Sequence, residues 1–315
     1  MRLKLHGPTM GTRWSVQCDG APDTDTDTEP LHAALQATVE RLDAQMSPWK
    51  PGSDLTRLNR APVDSWVELP AEMLHVLARA LEISRLSAGA FDPAVGALVD
   101  AWGFGATRDE PDAQAIRAAG GRAGCPAYQS LELDEGAGRV RKRARVQIDL
   151  CGIAKGYAVD CMADVLQQYG IQHALAALDG ELRALGSQED GQPWAVALES
   201  PEAARRAVRG VIELQDLAVA TSGDYRRYLE VAGARVAHTM DGRRAAPVRN
   251  DVASVTVLAR NCMDADAWAT ALLVVGPDDG QVMARRLGLE ALWLLRREGI
   301  LVEVGLGRFG SDAAS

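Results

Sequence analysis

The segment IDLCGIAKGYAVD, residues 148–160, joins an apolar run to a glycine-containing turn and then to helical spacing. It predicts a strand over 146–150 and a helix over 155–168. Such a turn presents backbone N–H groups and the positive end of a helix, which favours an anion. Lys155 adds a point charge suited to phosphate, and Asp149 can accept hydrogen bonds from a ring or a ribose. A plain connection with a surface ion pair would use the same residues, so the segment alone leaves both interpretations open.

A second segment, NCMDADAWATAL, residues 261–272, combines carboxylates with a hydroxyl. Asp266 and Thr270 are four residues apart, so in a helix they share one face. Oxygen ligands of this kind suit Mg²⁺, which keeps several waters and takes one or two protein carboxylates alongside a phosphate. Taken alone, the pair more often means a solvated Asp and a Thr bonded to its own helix backbone.

A third region runs from AVATSGDYRRY, residues 218–228, into RVAHTMDGRRAAPV, residues 235–248. A cluster of His and Asp at strand ends can perform acid–base chemistry, whereas Asp and Gly also favour ordinary turns. Its candidate residues are Ser222, Asp224, Tyr225, His238 and Asp241.

Apolar periodicity predicts the remaining elements. Further helices are expected over 31–46, 71–88, 264–275 and 280–287, with a short helix that begins near Ser53 and Asp54. Strands are expected over 12–18, 131–133, 173–178, 182–185, 194–198, 211–214, 234–240, 254–258, 291–295 and 300–304. Because strands come in groups and helices in blocks without regular alternation, we expect an α+β fold rather than a doubly wound sheet. We expect one domain over 1–315, with an acidic surface loop at about 20–30.

Composition excludes several classes of protein. The chain has 315 residues, of which 47% are hydrophobic and 24% charged, as in ordinary globular proteins. A net charge of −9 and the lack of a long Lys/Arg run argue against nucleic-acid binding. No apolar stretch approaches the roughly 20 residues of a membrane span. The pattern GxGxxG at 305–310 leaves only five residues for the helix of a dinucleotide site, so we discard it.

The N-terminal residues and the cysteines bear on location. The first residues, MRLKLHGPTMGTRW, lack the apolar core of a secretory signal. We therefore expect a cytoplasmic protein, or a periplasmic one if a leader has been removed. The five cysteines are scattered without a CxxC pair, which favours buried thiols in a reducing compartment.

Together and in this order, the motifs resemble the ApbE family, the FAD:protein FMN transferases. The resemblance covers about residues 8–276, most of the chain. The matching segments are PTMGTRW (8–14), MSPWKPGSDLTRLN (46–59), GAFDPAVGALVDAWGFG (89–105), IDLCGIAKGYAVD, ATSGDYRRY, HTMD and ADAWATAL.

The resemblance implies a fold, a reaction and its requirements. The fold is T-fold-like, with mixed, largely antiparallel sheets packed with helices and an FAD cleft between them. Family members bind FAD and Mg²⁺, break the pyrophosphate, attach FMN to a Ser or Thr hydroxyl of an acceptor protein and release AMP. Because the phosphates repel an incoming hydroxyl, a metal must neutralise charge on their oxygens.

The resemblance also implies roles for individual residues. Asp266 and Thr270 match the Mg²⁺ ligands, with the backbone carbonyl of Gly152 as a third. His238 matches the family's histidine, for which we hypothesise a general-base or phosphate-contact role. Contacts with FAD are implied for Met10, Trp49, Ala90, Phe91, Asp92, Asp149, Lys155 and Met240.

Two segments depart from the family pattern. Asp179-Gly180-Glu181 stands where Gly-Gly-Asp is usual. The extra carboxylate and the longer acidic side chain could crowd or repel a phosphate. After His238, the sequence Asp241-Gly242-Arg243-Arg244-Ala245 replaces Asp-Pro-Arg-Thr-Gly, which could alter the groove for the acceptor protein.

Two alternative functions remain open at this point. A Mg²⁺-dependent FAD pyrophosphatase would let water replace the acceptor hydroxyl, and it would release AMP without an acceptor protein. A non-catalytic FAD-binding module would bind FAD regardless of Mg²⁺ and of Asp266.

Overall fold

A computed structural model describes residues 2–19, 28–121, 125–201, 208–224, 228–231 and 234–310. Its helices are α1 (Glu29–Met46), α2 (Asp54–Arg60), α3 (Ala71–Leu86), α4 (Gly96–Ala101), α5 (Ala113–Gly120), α6 (Ala127–Ser130), α7 (Ala154–Gln168), α8 (Cys262–Val275) and α9 (Pro277–Leu287). The first strands are β1 (Leu3–Thr9), β2 (Thr12–Cys18), β3 (Trp66–Glu68), β4 (Leu131–Asp134), β5 (Arg139–Lys142), β6 (Ala174–Leu178), β7 (Glu181–Leu185), β8 (Trp194–Glu199) and β9 (Val208–Leu214). The later strands are β10 (Ala218–Gly223), β11 (Tyr228–Val231), β12 (Ala234–Ala237), β13 (Met240–Asp241), β14 (Ala246–Pro247), β15 (Val252–Ala259), β16 (Glu290–Arg297) and β17 (Ile300–Leu306).

The central sheet has the strand order β1-β2-β6-β7-β10-β15-β16-β17 among the described residues. Each neighbouring pair in it is antiparallel. Strand β15 is buried along almost its whole length, as expected for a Val-rich strand covered on both faces. The architecture is therefore the mixed, largely antiparallel one that the family resemblance implies.

Different elements pack on the two faces of the central sheet. Helices α1, α7 and α8 pack on one face and form the main core with residues such as Trp14, Leu35 and Met162. On the other face, the β8–β9 hairpin packs Trp194 and Val196 against the sheet. Functional residues can therefore come from two layers that meet at the sheet.

Tight turns bring two sheet corners to the same end. Met10 and Gly11 join β1 to β2 with φ of 46° and 71°, and Asp179 and Gly180 join β6 to β7 with φ of 56° at Asp179. Left-handed backbone at the first position suits a two-residue hairpin, for which Asp-Gly is a favoured pair. Since β2 pairs with β6, both turns lie side by side.

Helices α7 and α8 approach each other closely at a glycine. A Cβ atom on Gly156 would lie 2.3 Å from the carbonyl oxygen of Cys262 and 2.9 Å from Cβ of Asp266. Only a residue without a side chain fits there. This contact places the start of α7 directly against the start of α8.

Several predicted boundaries need correction. The strand expected over 146–150 does not form, because the side chain of Asn59 hydrogen-bonds both the backbone N–H and the C=O of Ile148. These groups are then not available to pair with another strand. The strand expected over 234–240 is divided between β12 and β13, and β1 was not predicted. Of the acidic loop expected at about 20–30, residues 20–27 lie outside the described residues, and α1 already begins at Glu29.

Two further expectations concern thiols and membranes. Cys125 and Cys151 are exposed and Cys161 is half-buried, so the prediction that the thiols are buried is wrong for these three. Cys18 and Cys262 are buried, and the cysteines are free of disulfides. In the described part of the chain, the helices are too short or too polar to span a bilayer.

Candidate functional site

A cleft of about 1790 Å³ opens at the end of the sheet that carries both tight turns. Every residue for which the family resemblance implies a role lines this cleft, although the residues come from distant parts of the chain. They are Met10, Trp49, Ala90, Phe91, Asp92, Asp149, Gly152, Lys155, His238, Met240, Asp266 and Thr270. The structure thus brings the predicted site residues together, and their individual roles stay predictions.

Asp266 and Thr270 lie on one face of α8, against the turn that begins α7. Asp266 is 3% exposed, and its Oδ2 accepts a hydrogen bond of 3.1 Å from the N–H of Gly156. A Cβ atom on Gly152 would lie only 3.0 Å from Oγ1 of Thr270, so the Gly152 backbone passes close to that hydroxyl. Ser222 adds its hydroxyl 3.1 Å from Oγ1 of Thr270. Asp266 is therefore not the solvated carboxylate that the isolated pair suggests.

The start of α8 is fixed by two side chains. Asn261 caps the helix by accepting a hydrogen bond from the N–H of Asp264 at 2.7 Å. Asp160 of α7 accepts from the N–H groups of Cys262 at 2.8 Å and Met263 at 2.9 Å. Caps satisfy backbone groups that a helix end leaves free. Asp160 therefore ties the helix that carries Asp266 to α7.

Lys155 forms a charged cluster at the bottom of the cleft. Its Nζ donates a hydrogen bond of 2.6 Å to Oε1 of Glu181 and lies 3.9 Å from a carboxylate oxygen of Asp179. Oε2 of the buried Glu181 has no hydrogen-bond partner among the described residues. The ion pair is thus part of the cleft and is not a surface ion pair.

Burial controls the protonation of this cluster. It raises the pKa of Asp266 to about 6 and that of Glu181 to about 7, although the positive charge of Lys155 opposes both shifts. Burial by itself lowers the pKa of Lys155, but the attraction of Glu181 and Asp266 outweighs it and raises that pKa. Together with Asp179, the cluster has three carboxyl groups around the one ammonium group of Lys155. This excess of acidic groups favours the binding of a cation.

The donor set at Asp266 fits Mg²⁺. It offers one buried carboxylate, the Thr270 hydroxyl and the adjacent Gly152 backbone. Among the described residues, no three His, Cys, Asp or Glu side chains lie close enough together to hold a metal. A cation here would therefore rely on water and on substrate oxygens, which is how Mg²⁺ is commonly held beside phosphate.

Apolar and aromatic side chains form the other wall of the cleft. Phe91 and Met240 are buried, whereas Trp49 is 49% exposed at the mouth. Trp49 is therefore not a core residue, and its ring is accessible to a flat ligand. Met10 lies at the β1–β2 turn in left-handed backbone.

Asp92 and Asp149 use part of their carboxylates to shape the loops of the site. Oδ1 of Asp92 accepts from the N–H groups of Ala94 and Ala127 at 3.0 and 2.9 Å. Oδ1 of Asp149 accepts from the N–H of Cys151 at 2.7 Å. Burial raises the pKa of Asp92, and the nearby Asp241 carboxylate raises it further, although the two backbone bonds oppose the shift.

The third sequence region reaches the cleft only in part. His238 lines it, with its ring 6.3 Å from that of Phe104 in an edge-on arrangement. Asp224 instead forms a bidentate ion pair with Arg296 outside the cleft. Asp241 is likewise held outside it, in a bidentate ion pair with Arg243. Tyr225 lies outside the described residues.

Both segments that depart from the family pattern contact residues of the cleft. Glu181 pairs with Lys155, and Asp179 occupies the β6–β7 turn at the edge of the cleft. A Cβ atom on Gly242 would lie 2.9 Å from Oδ2 of Asp92. The glycine therefore leaves Asp92 room that a larger residue would take.

Sequence reasoning missed the residues that support the site. Asn59 donates to the carbonyl of Ile148 at 2.9 Å and accepts from its N–H at 2.7 Å, which fixes the backbone directly before Asp149. Asp160 and Phe104 belong to segments that match the family, but no local pattern links them to a partner. Only the contact across the fold identifies them.

The chain is similar to known proteins over most of its length. The family whose model matches the chain is described as the ApbE family, and the match covers residues 10–293. A protein named FAD:protein FMN transferase from Vibrio cholerae serotype O1 is 34% identical over 297 residues, 94% of this chain and 88% of that protein. A Klebsiella pneumoniae protein of the same name is 35% identical over 301 residues, 94% of this chain and 84% of that protein.

Solved structures extend the likeness to the fold. The flavin transferase ApbE from Vibrio cholerae is similar with a TM-score of 0.87 and 32% identity, over 98% of each chain. The apo form of the flavinyl transferase ApbE from Pseudomonas stutzeri gives a TM-score of 0.85 and 35% identity, over 97% of this chain and 94% of that chain. The α+β fold expected from the sequence is thereby confirmed, and the chain belongs to the ApbE family.

Proposed function

We propose that this chain is an enzyme that transfers FMN from FAD to a Ser or Thr hydroxyl of an acceptor protein and releases AMP. Its relatives carry the name FAD:protein FMN transferase over most of the chain. The observation that carries the proposal is the buried Asp266 beside Thr270 and Lys155, at the bottom of a cleft with an accessible aromatic wall. Such a site suits a flavin joined to a pyrophosphate.

The reaction needs one bond made and one broken. The acceptor oxygen attacks the phosphorus of the FMN half, the bond from that phosphorus to the bridging oxygen breaks, and AMP leaves with the bridging oxygen. The hydroxyl proton passes to a base or to water, so atoms and charge balance. When bound, Mg²⁺ would supply charge neutralisation on the pyrophosphate oxygens.

The residues of the chain supply binding and orientation. Asp266, Thr270 and the Gly152 backbone would hold the metal, while Lys155 places its ammonium beside the phosphates. Trp49, Phe91 and Met240 offer apolar surface for the rings and exclude water from part of the cleft. Holding the phosphorus and hydroxyl in line is a large part of catalysis for phosphoryl transfer.

His238 is the residue that we assign as proton acceptor or phosphate contact. It lines the cleft, and Phe104 packs against its ring. Removal of a positioned general base lowers the rate by about 10²–10⁴-fold. A fully active His238→Ala variant would remove this assignment.

One assay separates the candidate functions. The protein is incubated with FAD and Mg²⁺, with and without a protein extract of the cells that encode it. AMP is followed by chromatography, and FMN on protein by in-gel flavin fluorescence. Transfer predicts AMP together with a fluorescent band, whereas AMP and free FMN without a band indicate a pyrophosphatase. FAD binding without AMP in either tube indicates a binding module.

A further inference from the structure

The cleft continues from the Asp266 end onto the opposite face of the central sheet. Residues of β10, β15 and β16 line it there, under the β8–β9 hairpin. We name this part the hairpin groove, with a floor of Ala177, Leu182, Thr221, Thr256, Leu292 and Leu294 and a wall of residues 195–200. None of the residues predicted to contact FAD or Mg²⁺ belongs to it.

The size of the cleft leaves room for a second ligand. It encloses about 1790 Å³, whereas sites for small molecules and cofactors commonly enclose about 300–1,000 Å³. The floor of the hairpin groove is mainly apolar, and Thr221 and Thr256 share a hydrogen bond of 2.8 Å between their hydroxyls. This surface suits small and apolar side chains rather than a phosphate.

Strand β8 presents its backbone edge to the groove. Residues 195–200 all line the cleft, although successive side chains of a strand point to opposite faces. In the part of the chain that the structure describes, β8 pairs with β9 alone. Its residues 194–198, WAVAL, carry no charge or proline to protect the edge, although Glu199 ends the strand with a charge, and proteins usually protect a free edge.

The strand also runs in the direction of the catalytic end. Trp194 donates its indole N–H to the carbonyl of Leu185 at 3.2 Å, at the end of β7 far from the turn at Asp179. Leu198 packs against the cluster of Ala253 and Leu294, close to where β10 ends beside Thr270. An extended segment paired with β8 would therefore lead toward Asp266.

We propose that the hairpin groove binds the acceptor protein, as an extended segment that adds a strand to the free edge of β8 and places its Ser or Thr near Asp266. This inference rests on the proposed function, because only a transferase needs a site for an acceptor protein. Backbone hydrogen bonds to an edge strand supply affinity, and pockets under alternate side chains supply selectivity. The five residues of WAVAL span about 17 Å at roughly 3.3 Å per residue.

The test obstructs the groove and leaves the FAD half of the cleft intact. Ala197→Trp adds bulk at the β8 edge, and Thr256→Phe fills the floor. The matched control is Val211→Trp, because Val211 is the register partner of Ala197, is 63% exposed and does not line the cleft. Each protein is incubated with FAD, Mg²⁺ and the cell extract, and FMN on protein is measured by in-gel fluorescence. FAD affinity and thermal unfolding are measured in parallel.

We expect both groove variants to lose protein labelling by about ten-fold or more, the effect of about 1.4 kcal/mol of lost binding. Their FAD affinity and the labelling by Val211→Trp should match the unchanged protein. Equal labelling by folded groove variants would overturn the proposal, as would an equal loss of FAD affinity or an equal loss in the control. If Ala197→Trp does not fold, Thr256→Phe decides. Absence of labelling by the unchanged protein, with FAD bound, would instead contradict the proposed function itself.

Discussion

The hydroxyl of Ser222 contacts a predicted metal ligand rather than the metal position itself. Its oxygen lies 3.1 Å from Oγ1 of Thr270. Partners of ligating groups orient them, and their loss commonly weakens metal binding by about 10–100-fold. We expect Ser222→Ala to raise the Mg²⁺ concentration for half-maximal activity by about ten-fold, with an unchanged far-UV circular dichroism spectrum. An unchanged Mg²⁺ requirement would contradict this role.

Lys155 and Glu181 depend on each other. Lys155→Met leaves the buried Glu181 carboxylate without its ammonium partner, which should cost about 3 kcal/mol of stability. In Lys155→Met/Glu181→Gln the buried carboxylate at position 181 is removed as well, so part of the stability should return, although Asp266 still lacks the ammonium group. FAD affinity should stay low in both variants, because the phosphate loses its cation. Urea unfolding and flavin fluorescence measure the two quantities, and recovery of FAD affinity in the double variant would refute the phosphate role.

At the scale of elements, the α7–α8 junction determines where Asp266 lies. Asp160 accepts hydrogen bonds from two N–H groups at the start of α8. Its Oδ1 also lies 2.7 Å from Nη1 of Arg183. Asp160→Ala should destabilise the protein by up to about 2 kcal/mol, as for a lost helix cap, and should raise the Mg²⁺ requirement. Asp160→Asn retains an acceptor oxygen and should recover part of both. A stability loss without any change in Mg²⁺ requirement would show that Asp160 acts on folding alone.

The start of β1 is joined to Asp19, the residue after β2, by an ion pair that titrates. Arg2 donates two hydrogen bonds to Asp19, at 2.7 and 2.6 Å. These bonds lower the pKa of Asp19, although burial opposes the shift. Because the unfolded carboxyl has the higher pKa, the stabilisation is present above about pH 4 and is lost as the pH falls through the folded pKa.

We therefore expect Asp19→Asn to lower the urea midpoint at pH 7 relative to the unchanged protein. The difference between the two proteins should shrink as the pH falls below about 4, since the unchanged protein then protonates Asp19. Urea titrations at pH 7 and below about pH 4 measure the difference in midpoint between the two proteins. A difference that stays constant with pH would show that the ion pair contributes no pH-dependent stability.

Sequence periodicity predicts the helices better than the contacts between them. The expected helix over 264–275 is α8, and the expected helix over 155–168 is α7, with each observed start one or two residues earlier. Long apolar-rich runs that end before Gly170 and Gly276 make these two helices predictable. The missing strand over 146–150 shows the limit, because the side chain of Asn59 is 89 positions away from Ile148 in the chain.

The cleft is formed by elements from most of the chain. Its predicted residues come from the β1–β2 turn, the loops that carry Trp49 and Asp92, the start of α7, α8 and the region around His238, and only the complete fold brings them together. The resemblance to a family identified them because it carries three-dimensional information that local patterns lack. It could not show that Glu181, a departure from the family pattern, pairs with Lys155. The interpretation of the chain as one domain stays a prediction.

The measurement that tests the central claim most directly is the rate of AMP release and protein labelling against Mg²⁺ concentration, for the unchanged protein and Asp266→Ala. FAD affinity and circular dichroism are recorded on the same samples. The account predicts that Asp266→Ala stays folded and binds FAD only modestly more weakly, but has no measurable turnover at any Mg²⁺ concentration, because charge on the pyrophosphate is no longer neutralised. Unchanged turnover of Asp266→Ala at saturating Mg²⁺ would contradict it.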